Sequence, residues 1–134
     1  MKNSVPFIML ICLFSACTSE YRSERANEIV SGIVTNKEGV PLQGILITKY
    51  WDQELTQDVI NQFRDSYTND KGEYSICEYS RYTKNTSSTT FYLVATDPTG
   101  FYQEQKIESM MVYSYTLDAA DAVGSATVNI VMEQ

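Results

Sequence analysis

The stretch SGIVTNKEGVPLQGILIT, Ser31 to Thr48, decides the fold. Before its turn, Val30, Gly32 and Val34 share one face by the two-residue period of a strand, with Ile29 and Ile33 on the other. That pattern predicts a strand over Ile29–Thr35, partly covered on both sides. Asn36-Lys37-Glu38-Gly39 is turn chemistry, because glycine takes a positive φ without steric cost. Pro41 lacks the N–H that a ladder needs, so it belongs at a strand's start or edge. Gly44 marks a bend before a second β-rich run to Trp51, in which Ile45 and Ile47 alternate with Leu46 and Thr48.

The chain downstream adds strands to this pair. Leu55, Val59 and Phe63 recur every four residues behind Asp52, a fitting N-cap, and predict a short helix over 53–63. Ser66–Thr68 leads into a second turn, Asn69-Asp70-Lys71-Gly72, and then an alternating strand, Glu73–Tyr79, with Tyr74 and Ile76 on one face. Ser80–Thr90 is polar and reads as an exposed loop. Phe91–Thr96 is the most continuously apolar run, which places it centrally, and Asp97-Pro98-Thr99-Gly100 is a third turn. A strand is expected over Phe101–Ser109 with its charges outward. Met110–Gly124 reads as less regular. Ala126–Met132 closes the chain, with Val128, Ile130 and Met132 on one face. This spacing predicts an all-β protein, a Greek-key β-sandwich of about seven strands.

Upstream, Lys2 precedes an apolar run of 10 residues, Val5–Phe14. A spanning helix needs about 20 apolar residues, whereas a signal-peptide core has this length. Leu13-Phe14-Ser15-Ala16-Cys17 resembles a bacterial lipobox, although the preferred Leu three places before the cysteine is Phe14 here. The resemblance implies cleavage before Cys17 and lipidation of its thiol, with palmitate-type acyl chains. The rival readings are an ordinary secretory signal that leaves Cys17 a free thiol, or an N-terminal membrane anchor. Two or three acyl chains anchor stably, at about 0.8 kcal/mol per buried methylene. The expected organisation is a signal peptide at 1–16, a polar tether at 17–28 and one domain at 29–134. The location that follows is the cell envelope, on the outer membrane.

Composition excludes several function classes. With 17 Asp and Glu against 10 Lys and Arg, the net charge is −7, which repels nucleic-acid phosphates. The chain contains no histidine, so it holds no Ser-His-Asp triad, imidazole acid–base pair or His-based zinc site. Of three cysteines, Cys12 leaves with the signal and Cys17 is acylated. Cys77 then has no disulfide partner and reads as a small apolar filler in a strand.

The remaining constellations are modest. Asp118 and Asp121 are too sparse for calcium, which takes six to eight oxygens. Asp70 and Asp97 would be candidate paired acids, but each sits in a turn that favours Asp. Ten tyrosines and one tryptophan include Trp51, Tyr79, Tyr82, Tyr102 and Tyr113 near strand ends or loops, the candidate aromatics of a sugar- or protein-binding surface. Against that stands the ordinary preference of Tyr for half-buried strand positions. No catalytic residue, metal ligand or cofactor is expected.

The order Gly32-x-Val34, Gly39-x-Pro41-Leu42-x-Gly44, Asp70-x-Gly72-x-Tyr74 and then FYLVAT at Phe91–Thr96 resembles the carboxypeptidase-regulatory-like domain. The resemblance covers most of Ile29 to Thr96 and thins beyond Gly100. It implies a transthyretin-like Greek-key sandwich of the kind that recurs in Bacteroidetes-type envelope lipoproteins, non-catalytic in its known settings. The chain is also similar to small lipoproteins found beside radical-SAM enzymes, but their Asp-rich, Asn-Gly segment is reduced here to Asp97–Gly100. The leading expectation is a non-enzymatic, lipid-anchored module for a protein or glycan partner. The alternatives are a carboxylate-dependent enzyme acting on envelope polysaccharide, and a fimbria-like subunit that donates an edge strand.

Overall fold

The computed structural model describes residues 24–51, 64–82, 87–114 and 121–134. Among the described residues the chain forms eight strands: β1 (Glu24–Asn36), β2 (Leu46–Tyr50), β3 (Arg64–Tyr67), β4 (Glu73–Tyr82), β5 (Ser88–Thr96), β6 (Gln105–Ser114), β7 (Asp121–Thr127) and β8 (Ile130–Met132). They are hydrogen-bonded in the order β3-β2-β5-β6-β7-β1-β4, with β8 added beside β1. The ladder turns its corner at β6–β7, which pair over Val112–Ser114 only. It thereby brings β3-β2-β5-β6 face to face with β7-β1-β4, the all-β sandwich that the turn spacing predicts.

One core fills the space between the layers. Val30 and Val34 of β1, Ile47 of β2, Phe91 and Leu93 of β5, Met111 of β6 and Met132 of β8 are fully buried in it. Each strand contributes every second residue, as the pleat requires. Val128, Ile130 and Met132 share the buried face expected of them, and β5 is flanked by β2 and β6.

Three turns of one design close one end of the sandwich. In Asn36–Gly39, Asn69–Gly72 and Asp97–Gly100 the first residue's side-chain oxygens accept from the N–H groups two and four places on, and its carbonyl accepts from the glycine N–H. The glycines take φ of 80°, 72° and 74°, which an L-residue adopts only at a cost. Between the first two turns, Leu42–Gly44 carries the chain from one layer to the other. Buried Thr68 holds this corner, donating to the Leu42 carbonyl at 2.6 Å and accepting from Ile45 N–H at 2.9 Å. Gly32 marks the closest backbone approach: a Cβ there would lie 1.9 Å from the Val128 carbonyl oxygen. That carbonyl accepts from the Tyr74 hydroxyl at 2.7 Å, and Val128 N–H donates to Ser31 at 2.8 Å. Burial raises the ionisation of the Tyr74 phenol well above its ordinary value.

The structure corrects several boundaries. The first strand begins at Glu24 rather than Ile29, so Glu24–Glu28 belong to β1 and not to the tether. Ala26 and Glu28 continue the inward face of Val30, a parity hidden by polar neighbours. Ile29 and Ile33, expected to be partly covered, are 40% and 41% exposed on the outward face. The loop expected over Ser80–Thr90 is shorter, because Ser80–Tyr82 extend β4 against β1 and Ser88–Thr90 extend β5 against β6. The strand expected over Phe101–Ser109 starts at Gln105, since Asp97 engages the Phe101 and Tyr102 N–H groups in its turn. Met110–Ser114 and Asp121–Gly124, read as irregular, are strand. The closing run is split at Val128–Asn129, where the chain passes Gly32. Cys77 is exposed on the outward face of β4, not a core filler. The helix expected over 53–63, Cys17 and the signal segment lie outside the described residues.

Candidate functional site

Charged side chains meet inside the sandwich, where the sequence reading placed none. Glu28 and Lys49 side chains are each 1% exposed, and Glu78 is 18% exposed. Glu28 and Glu78 are register partners on β1 and β4, so their carboxylates lie side by side on the inner face. Lys49 reaches them from β2 in the opposite layer. Its Nζ donates to Glu28 Oε2 at 3.1 Å and to Glu78 Oε2 at 2.8 Å. The same ammonium sits 4.0 Å from the centre of the Trp51 ring and 6.0 Å from that of Phe91, within cation–π range.

A glycine completes the cluster. Gly124 of β7 is the register partner of both Glu28 on β1 and Tyr113 on β6. A Cβ at Gly124 would lie 2.8 Å from the Tyr113 ring. Because none is there, the ring crosses β7 and its hydroxyl donates to Glu28 Oε1 at 2.8 Å. The row Tyr113–Gly124–Glu28–Glu78 therefore runs across four adjacent strands, capped from the other layer by Lys49. Burying two ions costs several kcal/mol each unless geometry and hydrogen bonds offset it, and here each carboxylate has at least one short donor.

The outer face of the same sheet has a different character. On β1, β4 and β7 its described positions are Asn27, Ile29, Ser31 and Ile33, then Glu73, Ser75, Cys77 and Tyr79, then Val123, Ser125 and Thr127. Of these Glu73 alone is charged, and all but Ser31 are exposed. At the end nearer the three turns this face runs into a groove of about 730 Å³ beside Tyr67 of β3, lined also by Ser31, Ser66, Glu73, Ser75, Thr127 and Asn129. Tyr67 is 62% exposed.

The five aromatics singled out from sequence do not form one platform. Trp51 packs against the core over Lys49, and Tyr113 is the half-buried phenol on Glu28, so these two converge on the buried cluster. Tyr79 lies exposed on the outer face of β4. Tyr82 ends β4, its side chain outside the described set. Tyr102 is at the opposite end, edge-on to Phe101 at 4.9 Å. Tyr67, missed in sequence, lines the groove. Asp97 and Asp70 are in separate turns, and Asp97 is committed to its own. Partial desolvation works against its charged form, but hydrogen bonds from the Thr99 side chain and from the Thr99, Tyr102 and Phe101 N–H groups outweigh it and hold the carboxyl below its ordinary range. Asp118 lies outside the described residues, and Asp121 begins β7.

No family model matches the chain, and no curated protein matches it. Its solved structural neighbours include chlorocatechol 1,2-dioxygenase from Pseudomonas putida, at 11% identity over 82% of this chain and 61% of that one, with a TM-score of 0.55. Another is 3-chlorocatechol 1,2-dioxygenase from Rhodococcus opacus 1CP, at 9% identity over 87% and 62%, TM-score 0.55. A third is hydroxyquinol 1,2-dioxygenase from Pseudomonas putida DLL-E4, at 11% identity over 81% and 56%, TM-score 0.53. The chain spans about three fifths of their length. At such identity the likeness is one of fold. Among the described residues no three His, Cys, Asp or Glu side chains gather where they could hold a metal.

Proposed function

We propose that the chain is a non-catalytic binding module, held at the cell envelope by a lipid on Cys17, whose charge-poor β7–β1–β4 face and Tyr67 groove take a neutral glycan. The observation that carries this reading is the contrast between a net charge of −7 and a three-strand face on which one of the eleven described positions, Glu73, is charged. Hydroxyls and amides line the groove together with the Glu73 carboxylate, which accepts from Asn69 Nδ2 at 3.0 Å, and an exposed phenol flanks it. Such a surface suits a partner that offers hydroxyl groups and apolar ring faces. The carboxylates that an enzyme would use are engaged elsewhere: Glu28 and Glu78 with Lys49, Asp97 in its turn.

The full chain in detergent, presented to an array of neutral and acidic glycans, retains neutral polysaccharide. Tyr67→Ala weakens that binding by about tenfold, the loss of roughly 1.4 kcal/mol of aromatic contact. Retention of acidic glycans alone, or binding indifferent to Tyr67→Ala, would sink the glycan reading. The anchor is tested separately: Cys17→Ala abolishes incorporation of labelled palmitate and releases the protein from membranes, and undiminished labelling would refute it.

A further inference from the structure

We infer that Lys49 and Glu28 condense to an intramolecular amide that ties β2 covalently to β1 through the core. The arrangement holds each group that this reaction needs. Lys49 Nζ is the nucleophile, 3.1 Å from Glu28 Oε2. Glu28 is the electrophile, and its other oxygen, Oε1, takes the Tyr113 hydroxyl at 2.8 Å, where a donor would stabilise the negative charge of a tetrahedral intermediate. Glu78 Oε2, at 2.8 Å from the same Nζ, is placed to relay protons. Glu78 is the more exposed carboxylate, at 18% against 1% for Glu28, and opens a path for the departing water.

The step balances without any co-reactant. One ammonium proton passes to Glu78, and the freed nitrogen lone pair attacks Glu28 Cδ, pushing the carbonyl electrons onto Oε1. A second proton leaves Nζ by the same relay. The Oε1 electrons return to re-form the C=O as the Cδ–Oε2 bond breaks, and Oε2 departs with both protons as water. The third proton remains on the amide nitrogen, and Glu78 ends as the carboxylate it began as. The ammonium and one carboxylate vanish together, which removes the desolvation penalty of both ions. Bulk water opposes condensation, but groups fixed in one geometry react with effective molarities of about 10⁵–10⁸ M, far above that of water. Gly124 has a place in this scheme, since only its missing side chain lets Tyr113 reach Oε1.

Trypsin digestion of the denatured full chain followed by mass spectrometry decides the matter. The expected product is a branched peptide of Ala26–Lys37 joined to Glu38–Arg64, one water lighter than the two together, with no cleavage after Lys49. Recovery of linear Ala26–Lys37 and Glu38–Lys49 from correctly folded protein, with no branched species, overturns the inference. Glu78→Gln and Tyr113→Phe, checked for fold by circular dichroism, each slow the branching by about 100-fold. Wild-type branching rates in both folded variants would overturn the roles assigned to Glu78 and Tyr113. Lys49→Arg preserves the cation and yields no branch; a branch in that variant would place the link elsewhere.

Discussion

Gly32→Ala offers the sharpest test of how the layers are joined. Gly32 has no positive φ among its special features, and in a strand interior alanine would ordinarily be the better residue. The only objection to a methyl group is space. Its Cβ would lie 1.9 Å from the Val128 carbonyl oxygen and 2.6 Å from the carbonyl carbon. Carbon–oxygen contacts close at about 3.3 Å, so this backbone must retreat by roughly 1.5 Å. That retreat breaks the 2.8 Å bond from Val128 N–H to Ser31 and the 2.7 Å bond from the Tyr74 hydroxyl. Each is worth about 0.5–1.5 kcal/mol, and overpacking adds about 1–3 kcal/mol. The expected loss is about 2–6 kcal/mol, a large share of the roughly 5–15 kcal/mol that holds a domain together, and lowers Tm by some 10–30 °C. Urea unfolding followed by Trp51 fluorescence reads it, because Trp51 packs edge-on to Phe91 at 6.2 Å. Gly39→Ala is the control. No atom lies within 4 Å of its added Cβ, and only its φ of +80° opposes the change, at about 1–2 kcal/mol. A Gly32→Ala protein as stable as wild type, or more stable than Gly39→Ala, would refute the reasoning.

Three further outcomes follow from the same geometry. Lys49→Met leaves Glu28 and Glu78 side by side with neither a cation nor an amide link between the layers and costs at least about 3–5 kcal/mol; adding Glu28→Gln restores part of it, and simple additivity in urea melts would contradict the coupling. Tyr74→Phe strips a buried hydrogen bond from the Val128 carbonyl, for about 1–3 kcal/mol, and in wild type the Tyr74 phenol ionises above the ordinary tyrosine value of about 10 in an ultraviolet titration. The Asp97 carboxyl, held low by its turn, titrates below the ordinary value of about 3.9. Its stabilisation of the β5–β6 turn is complete above that value and is lost as pH falls through the lower, folded-state pKa. An Asp97 midpoint at or above the ordinary value, by carboxyl-carbon NMR, would contradict this assignment.

The amino-acid sequence by itself determined the local geometry. The Asx-x-x-Gly turns at Asn36, Asn69 and Asp97 were legible because a side-chain oxygen two atoms from the backbone and a glycine free to take positive φ act within four residues. The inward faces of β4 and β8 were legible from alternation alone, and the central place of β5 from its continuous apolar run. The buried cluster was half legible: Glu28 has the parity of Val30, Lys49 that of Ile47, and Glu78 that of Ile76. Parity says only that a side chain points inward. Whether a charge can remain there depends on what stands opposite, and that is decided by the register of β1 with β4 and β7, by Gly124 clearing a path for Tyr113, and by the layer that carries Lys49. These contacts join residues 21 to 85 positions apart, where no short-range pattern reaches. Only the folded sandwich could bring one ammonium between two carboxylates and leave Glu73 as the one charge among the described side chains on the opposite face of the same sheet.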